Sequence, residues 1–308
     1  MNIPITQSKE WQTLQNDLKE TSFFEKTEDF QYLAILKNTP AGNYLYLPYG
    51  PVADTKQGIK RAFKSLYQLA DNHQAVFIRI EPQLQNPGEY LPHNAHRSKD
   101  INPKETWVLN LTGTDEELKG RLPSRLLRYY KNYEKNHLRI TTSHQKEDIK
   151  YLLALQKALA TKKGINTFSQ EYLETELAQP FSTLYLMYYQ NPETNQEELV
   201  AAGLVFDHAK TRYNLQGAQT EQGRKLHATG ILTIKLIKDA KEKQLETFDF
   251  WGIAPDGAPD DHPWKGFTAF KKTFEGTEKV YAGTYDIVLH PFKYRLYQFL
   301  RKLNQIVR

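Results

Sequence analysis

Along almost its whole length the chain alternates segments of helical apolar period with short β-rich runs, several of them paired around tight turns. Trp11, Leu14 and Leu18 recur at i, i+3, i+7 and predict a first amphipathic helix. Residues 32–37 read as a strand turned by Pro40-Ala41-Gly42-Asn43 into residues 44–48. A helix over 58–72, strands over 75–80 and 106–111, and a helix over 149–163 follow. Strands over 183–189, 200–207 and 213–218, a helix over 230–243 and a strand over 247–251 continue the pattern. Pro291 opens a last helix with Phe292, Leu296, Phe299 and Leu303 on one face. Thr114-x-x-Glu117 has the form of a capping box. This order confines the chain to mixed-sheet α/β or α+β domains, flanked by helices. No repeat period and no Gly/Ser- or Pro-rich linker is visible in the 308 residues, which form two series, 1–118 and 119–289.

Composition removes several function classes. Apolar residues at 39% and charged residues at 25% exclude wholesale disorder. There is no cysteine, so disulfides, thiolate nucleophiles and Cys-based metal sites are excluded. The start lacks the basic and apolar regions of a secretory signal, and the longest apolar run, 199–206, is far short of a membrane span. The reading is a cytoplasmic chain able to touch a membrane surface.

The net charge of +5 is concentrated rather than spread. Residues 119–139 hold seven Lys/Arg and one acid. If residues 124–136 form a helix, Arg125, Arg128 and Lys135 share a face with Asn132, and Leu126, Tyr130 and Tyr133 share the other. That is either a solvated face or a phosphate-holding stripe. The last helix adds Lys293, Arg295, Arg301, Lys302 and Arg308, with no acid after Asp286. Its apolar face is expected to pack on a domain, with anionic lipid as the alternative.

Metalloprotease, nucleophile-elbow, P-loop and dinucleotide motifs are absent, and His93 and His96 read as surface groups. The loop TEQGRKLHATG sets Arg224 and Lys225 beside a helix N-terminus, an anion-binding arrangement or an ordinary polar loop; the layout resembles the one in which GNAT N-acyltransferases hold an acyl-CoA pyrophosphate, without their Arg/Gln-x-x-Gly-x-Gly/Ala form. GFTAFKKTFEG interleaves Phe267, Phe270 and Phe274 with Lys271 and Lys272. Aromatics beside a lysine desolvate it and strengthen its field on a developing oxyanion; the alternative is a core segment with two surface lysines.

These pieces occur in an order that resembles the FemA/FemB/FemX (FemABX) family of peptidoglycan interpeptide-bridge aminoacyltransferases. The resemblance runs from Gln7-Ser8-x-x-Trp11 through Tyr46-Leu47-Pro48-Tyr49-Gly50-Pro51, Phe77-Ile78-Arg79-Ile80-Glu81-Pro82 and the basic helix. It continues through Thr161-Lys162-Lys163-Gly164-Ile165, Ala201-Ala202-Gly203, Gln216-Gly217-Ala218 and Phe248-Asp249-Phe250-Trp251-Gly252 to Gly266-Phe267-Thr268-Ala269-Phe270-Lys271-Lys272. It implies two GNAT-like acyltransferase domains in tandem: residues 1–118 with 290–308 for the acceptor, and 119–289 for the aminoacyl-tRNA. No long helical hairpin is inserted, as in the shorter FemX type.

The implied reaction is attack by an amine of a UDP-linked or lipid-linked muropeptide on the ester of an aminoacyl-tRNA, without cofactor or metal. The resemblance assigns Lys271 the electrostatic role, with Phe270 beside it, and places Trp11, Glu81, Lys162 and Lys163 with the substrates; Arg224 and Lys225 are added to the substrate side from their loop. Arg125, Arg128 and Lys135 would meet tRNA phosphates. Gln15 stands where FemX-type proteins can present a phosphate-binding lysine. The chain is read as a monomer, and its rivals are an acyl-CoA-dependent N-acyltransferase and a non-catalytic RNA- or membrane-surface-binding protein.

Overall fold

A computed structural model describes residues 3–83, 87–163 and 168–306. The expected α/β class holds: there are two mixed sheets of seven strands, each flanked by helices. Two compact units result, one of residues 1–104 and 280–308, the other of residues 105–279.

In the first unit the strands lie in the order Ser22–Lys26, Phe30–Thr39, Gly42–Leu47, Phe77–Ile80, Tyr285–Val288, Ala95–Arg97, with Val52–Ala53 beside Phe30–Thr39. Among the described strands of this unit only Gly42–Leu47 and Phe77–Ile80 are parallel, and a parallel pair needs a crossover, here the helix Lys56–Asn72. Thr55 caps that helix by accepting the Gly58 N–H, and Ile59, Phe63 and Leu66 bury one face against Leu45, Leu47, Ile78 and Ile80. Gln7 ties the strands: its Nε2 donates to the carbonyls of Leu33 and Pro48 at 3.2 and 2.8 Å, and its Oε1 accepts the Leu33 N–H at 2.9 Å. Ser8 caps the helix Lys9–Asp17 by accepting the Trp11 N–H.

In the second unit the order is Thr277–Val280, Glu105–Asn110, Thr247–Gly252, Thr211–Gln219, Glu197–His208, Ser182–Gln190, Leu138–Ser143. Again one pair is parallel, Thr211–Gln219 with Thr247–Gly252, and the helix Ala228–Glu242 makes the crossover. Ile231, Ile234 and Ile237 of that helix meet Phe248, Phe250 and Leu109 in the core. Pairing of the parallel strands stops at Tyr213 and Asp249, although the first strand runs on to Gln219. The matching pair of the first unit stays in register from Tyr44–Phe77 to Leu47–Ile80.

The unit limits differ from those read in the sequence because strand pairing sets them. Glu105–Asn110 pairs with Thr247–Gly252, and Tyr285–Val288 pairs with Phe77–Ile80. Thr114 and Glu117 make both bonds of the capping box. The expected helix over 124–136 is broken. Ser124–Lys131 is helical, the amide of Asn132 donates back to the Arg128 carbonyl, and Glu134–Asn136 forms a separate 3-10 turn before His137 at φ 59°. Lys135 therefore does not continue the face of Arg125 and Arg128.

The last helix, Pro291–Ile306, is inverted relative to expectation. Tyr294 and Tyr297 pack inward with Val76, Phe77 and Tyr44, while Phe292, Leu296, Phe299 and Leu303 face outward. The cause is a buried ion pair. Arg79 donates to both carboxylate oxygens of Asp286 at 2.7 Å, Tyr294 donates to Asp286 Oδ2 at 2.8 Å, and Arg79 Nη1 donates to Tyr297 Oη at 3.1 Å. Buried charges demand such partners, and phenols satisfy them where Phe and Leu cannot. No helix among the described residues is long and apolar enough to cross a membrane.

Candidate active site

Alternation along Thr247–Gly252 sends Phe248 and Phe250 into the core and Asp249 to the opposite face, where it is buried. Asp249 Oδ1 accepts the N–H of Trp251 at 2.7 Å, and Trp251 is held at φ 65°, unusual for a bulky residue. The helix Lys265–Lys271 follows a loop. Phe270 packs on the core beside Phe274, ring centres 5.5 Å apart, and so aims the next residue at the strand end. Lys271 Nζ donates to the Gly252 carbonyl at 2.6 Å. Behind it, Gly276 lies so near Trp107 Nε1 and the Val108 carbonyl that a Cβ would come within 2.7 Å of each.

Burial pulls the Lys271 ammonium down to about 8, partly offset by the Asp249 carboxylate. Burial likewise pushes Asp249 up to about 6, against the Trp251 N–H and the two lysines, Lys279 and Lys271, which favour its charge. Lys279 is also lowered by burial and supported by Asp249. Both Lys271 and Asp249 are therefore charged near neutrality, each close to losing its charge. A cation fixed in such surroundings is ready to stabilise negative charge that develops during a reaction. Asp249 and Lys279 were not singled out from sequence. The available signal was one acid between two core phenylalanines in TFDFWG.

The other expected site residues scatter. Glu81 is a buried junction of the first unit. Its carboxylate accepts from Tyr46 Oη, Asn102 Nδ2 and Thr284 Oγ1 at 2.9, 2.7 and 2.8 Å, and from the backbone N–H groups of Asn102 and Ile101 at 3.0 and 3.3 Å. Those bonds occupy its acceptor capacity. Trp11 is buried in the same unit, as is Gln15. Lys162 and Lys163 end the helix Ile149–Lys163, and their side chains lie outside the described residues, as does Gly164.

Arg224 and Lys225 are exposed on the helical turn Glu221–Lys225. That turn engages several of the N–H groups an anion would use. Gly223 donates to Thr220 Oγ1, Arg224 to the Thr220 carbonyl, Leu226 to Gln222, His227 to Arg224, and Thr229 to Gln219 Oε1. The N-terminus of Ala228–Glu242 is covered too, by Leu126 against Gly230 and by Tyr129 stacked on His227 at 4.4 Å. Arg125 and Arg128 are exposed, each with its guanidinium near the Tyr129 ring, at 5.5 and 5.6 Å from its centre, and Arg125 Nε donates to the Tyr129 hydroxyl at 2.9 Å. No cluster of three or more metal-ligating side chains occurs among the described residues.

Residues 187–302 match the model of the FemAB family. In three dimensions the chain is similar to the crystal structure of FemX, with a TM-score of 0.80 at 16% identity over 95% of this chain and 94% of that one. It is also similar to the C-terminal domain of a putative lysylphosphatidylglycerol synthetase from Agrobacterium fabrum, with a TM-score of 0.60 at 13% identity over 94% and 91%. L-PGS from Bacillus licheniformis gives a TM-score of 0.59 at 11% identity over 99% of both chains. No curated protein matches in sequence.

Proposed function

We propose that this chain, which belongs to the FemABX family on the match of its residues 187–302, transfers an amino acid from aminoacyl-tRNA to an amine of a peptidoglycan precursor. The observation that carries the reading is Lys271, a buried lysine fixed on the Gly252 carbonyl by its ammonium, whose charge the Asp249 carboxylate favours. The acceptor amine attacks the ester carbonyl of the aminoacyl-tRNA, and a C–N bond forms as the carbonyl oxygen becomes an oxyanion. Collapse breaks the C–O bond to the ribose, and the amine proton ends on that leaving oxygen. The ester is already activated, so the protein's part is to position the reactants and stabilise the oxyanion.

Lys271 takes the oxyanion in this reading, Phe270 anchors it, and the second unit receives the tRNA. Arg125 and Arg128, exposed beside Tyr129 on the outer face of their helix, suit a phosphate backbone. The first unit takes the muropeptide, UDP-linked or lipid-linked. The Glu81 carboxylate of that unit is fully engaged by its own neighbours and is left out of the contact set; Lys162 and Lys163, at a helix end of the second unit, remain candidates for acceptor phosphate. The reading is tested by mass spectrometry of muropeptides from cells with and without the protein. The expected result is loss of a bridge residue, restored by the native chain and not by Lys271→Ala. Identical muropeptides in both strains would refute it.

A further inference from the structure

The outward face of the last helix is the most apolar exposed feature among the described residues. Phe292 is 86% exposed, Phe299 59%, Leu296 48% and Leu303 42%, four of the nine large hydrophobic side chains that stand exposed. Their spacing of four, three and four residues puts them in one stripe along Pro291–Ile306. At 3.6 residues per turn Lys293 lies on one flank of the stripe and Arg295 and Lys302 on the other, and all three are exposed. The helix cannot roll to hide the stripe, because Tyr294 and Tyr297 hold its inner face to the Arg79–Asp286 pair.

From this we infer that the helix Pro291–Ile306 docks in the plane of an anionic lipid surface, with Phe292, Leu296, Phe299 and Leu303 inserted among the acyl chains and Lys293, Arg295 and Lys302 on the headgroups. An apolar stripe flanked by cations on both sides is the form of an interfacial helix. Charge selects the occupant. No acid follows Asp286 in the sequence, so a second copy meeting this one stripe to stripe would set like charges against each other. Phosphate headgroups complement the same flanks. The inference stands apart from the transfer reaction, since Lys271 lies in the other unit.

The test is flotation of the full chain with vesicles of phosphatidylcholine alone, or of phosphatidylcholine and phosphatidylglycerol at about three to one. The expected result is binding to the mixed vesicles that weakens as salt rises and is much poorer with the neutral ones. The double variant Phe292→Ser with Phe299→Ser should bind at least about tenfold more weakly. A second variant, Lys293→Glu with Lys302→Glu, should lose the preference for anionic lipid. All four side chains are exposed, so an unchanged melting temperature certifies the fold. The inference is overturned by binding to neither vesicle, by equal binding to both, or by native affinity in the Phe double variant. A dimer in sedimentation velocity that Phe292→Ser dissolves would overturn it in favour of a second copy.

Discussion

Burial disfavours the charge of Lys271, and the Asp249 carboxylate opposes that loss. The folded protein lowers this lysine from the ordinary 10.5 to about 8, so the ammonium is present below that pH and is lost as pH rises through it. If the charge stabilises the oxyanion, initial transfer rates fall above about pH 8, approaching tenfold per unit. Lys271→Arg should remove that alkaline limb, because a guanidinium stays charged, while lowering the plateau through its different shape. Asp249→Asn should move the limb to lower pH, since it deletes the carboxylate that supports the ammonium and retains the Oδ1 that accepts the Trp251 N–H. A limb unmoved by both substitutions would show that another group sets it. The lysine itself was legible in GFTAFKKTFEG. Its partner was not, because a single acid in a strand gives no sign of which side chain will be folded against it.

At the scale of elements, hydrophobic period located most helices, but it did not decide which way they face. The last helix shows why. Its stripe of Phe and Leu is the stronger apolar signal, yet the tyrosine face is buried because Arg79 and Asp286, 207 positions apart, need hydroxyl partners. The basic segment shows a second limit: Asn132 and the left-handed His137 end the helix where charge spacing alone would continue it. The helix Gln170–Leu177 is not visible in the sequence pattern, and it carries another buried acid, Glu176. Glu176 Oε2 accepts from Gln216 Nε2 at 2.9 Å, and burial pushes the carboxyl up to about 8, with the Tyr172 hydroxyl bonded to it opposing the shift. A raised folded-state value means the fold retains a proton that the unfolded chain releases, so this group costs stability as pH rises from about 4.5 to about 8. Glu176→Gln should therefore stabilise the full chain more at pH 8 than at pH 5, by an amount on the order of 1–3 kcal/mol. Urea unfolding at the two pH values measures it. A stability difference independent of pH would mean that Glu176 is ionised in the fold.

Across the whole molecule the two units repeat one plan that no residue period discloses. In each, antiparallel strands lead to one parallel pair joined by a crossover helix, and the next strand is supplied from a distant part of the chain. The repeat is one of element order rather than residue identity, so a search for sequence period does not see it. The difference between the copies matters more for function. The first keeps its parallel pair in register, whereas the second releases it after Tyr213 and Asp249, next to the strand end that Lys271 engages. The central claim is that this end of the second unit carries out aminoacyl transfer. Its most direct test is a reconstituted reaction of the purified chain with charged tRNAs and muropeptide acceptors, followed by product mass. The account predicts an adduct heavier by one aminoacyl residue with a matched pair, and a fall of about a hundredfold or more in turnover for Lys271→Ala with little change in tRNA affinity. No product with any pair, or full turnover in Lys271→Ala, would contradict it.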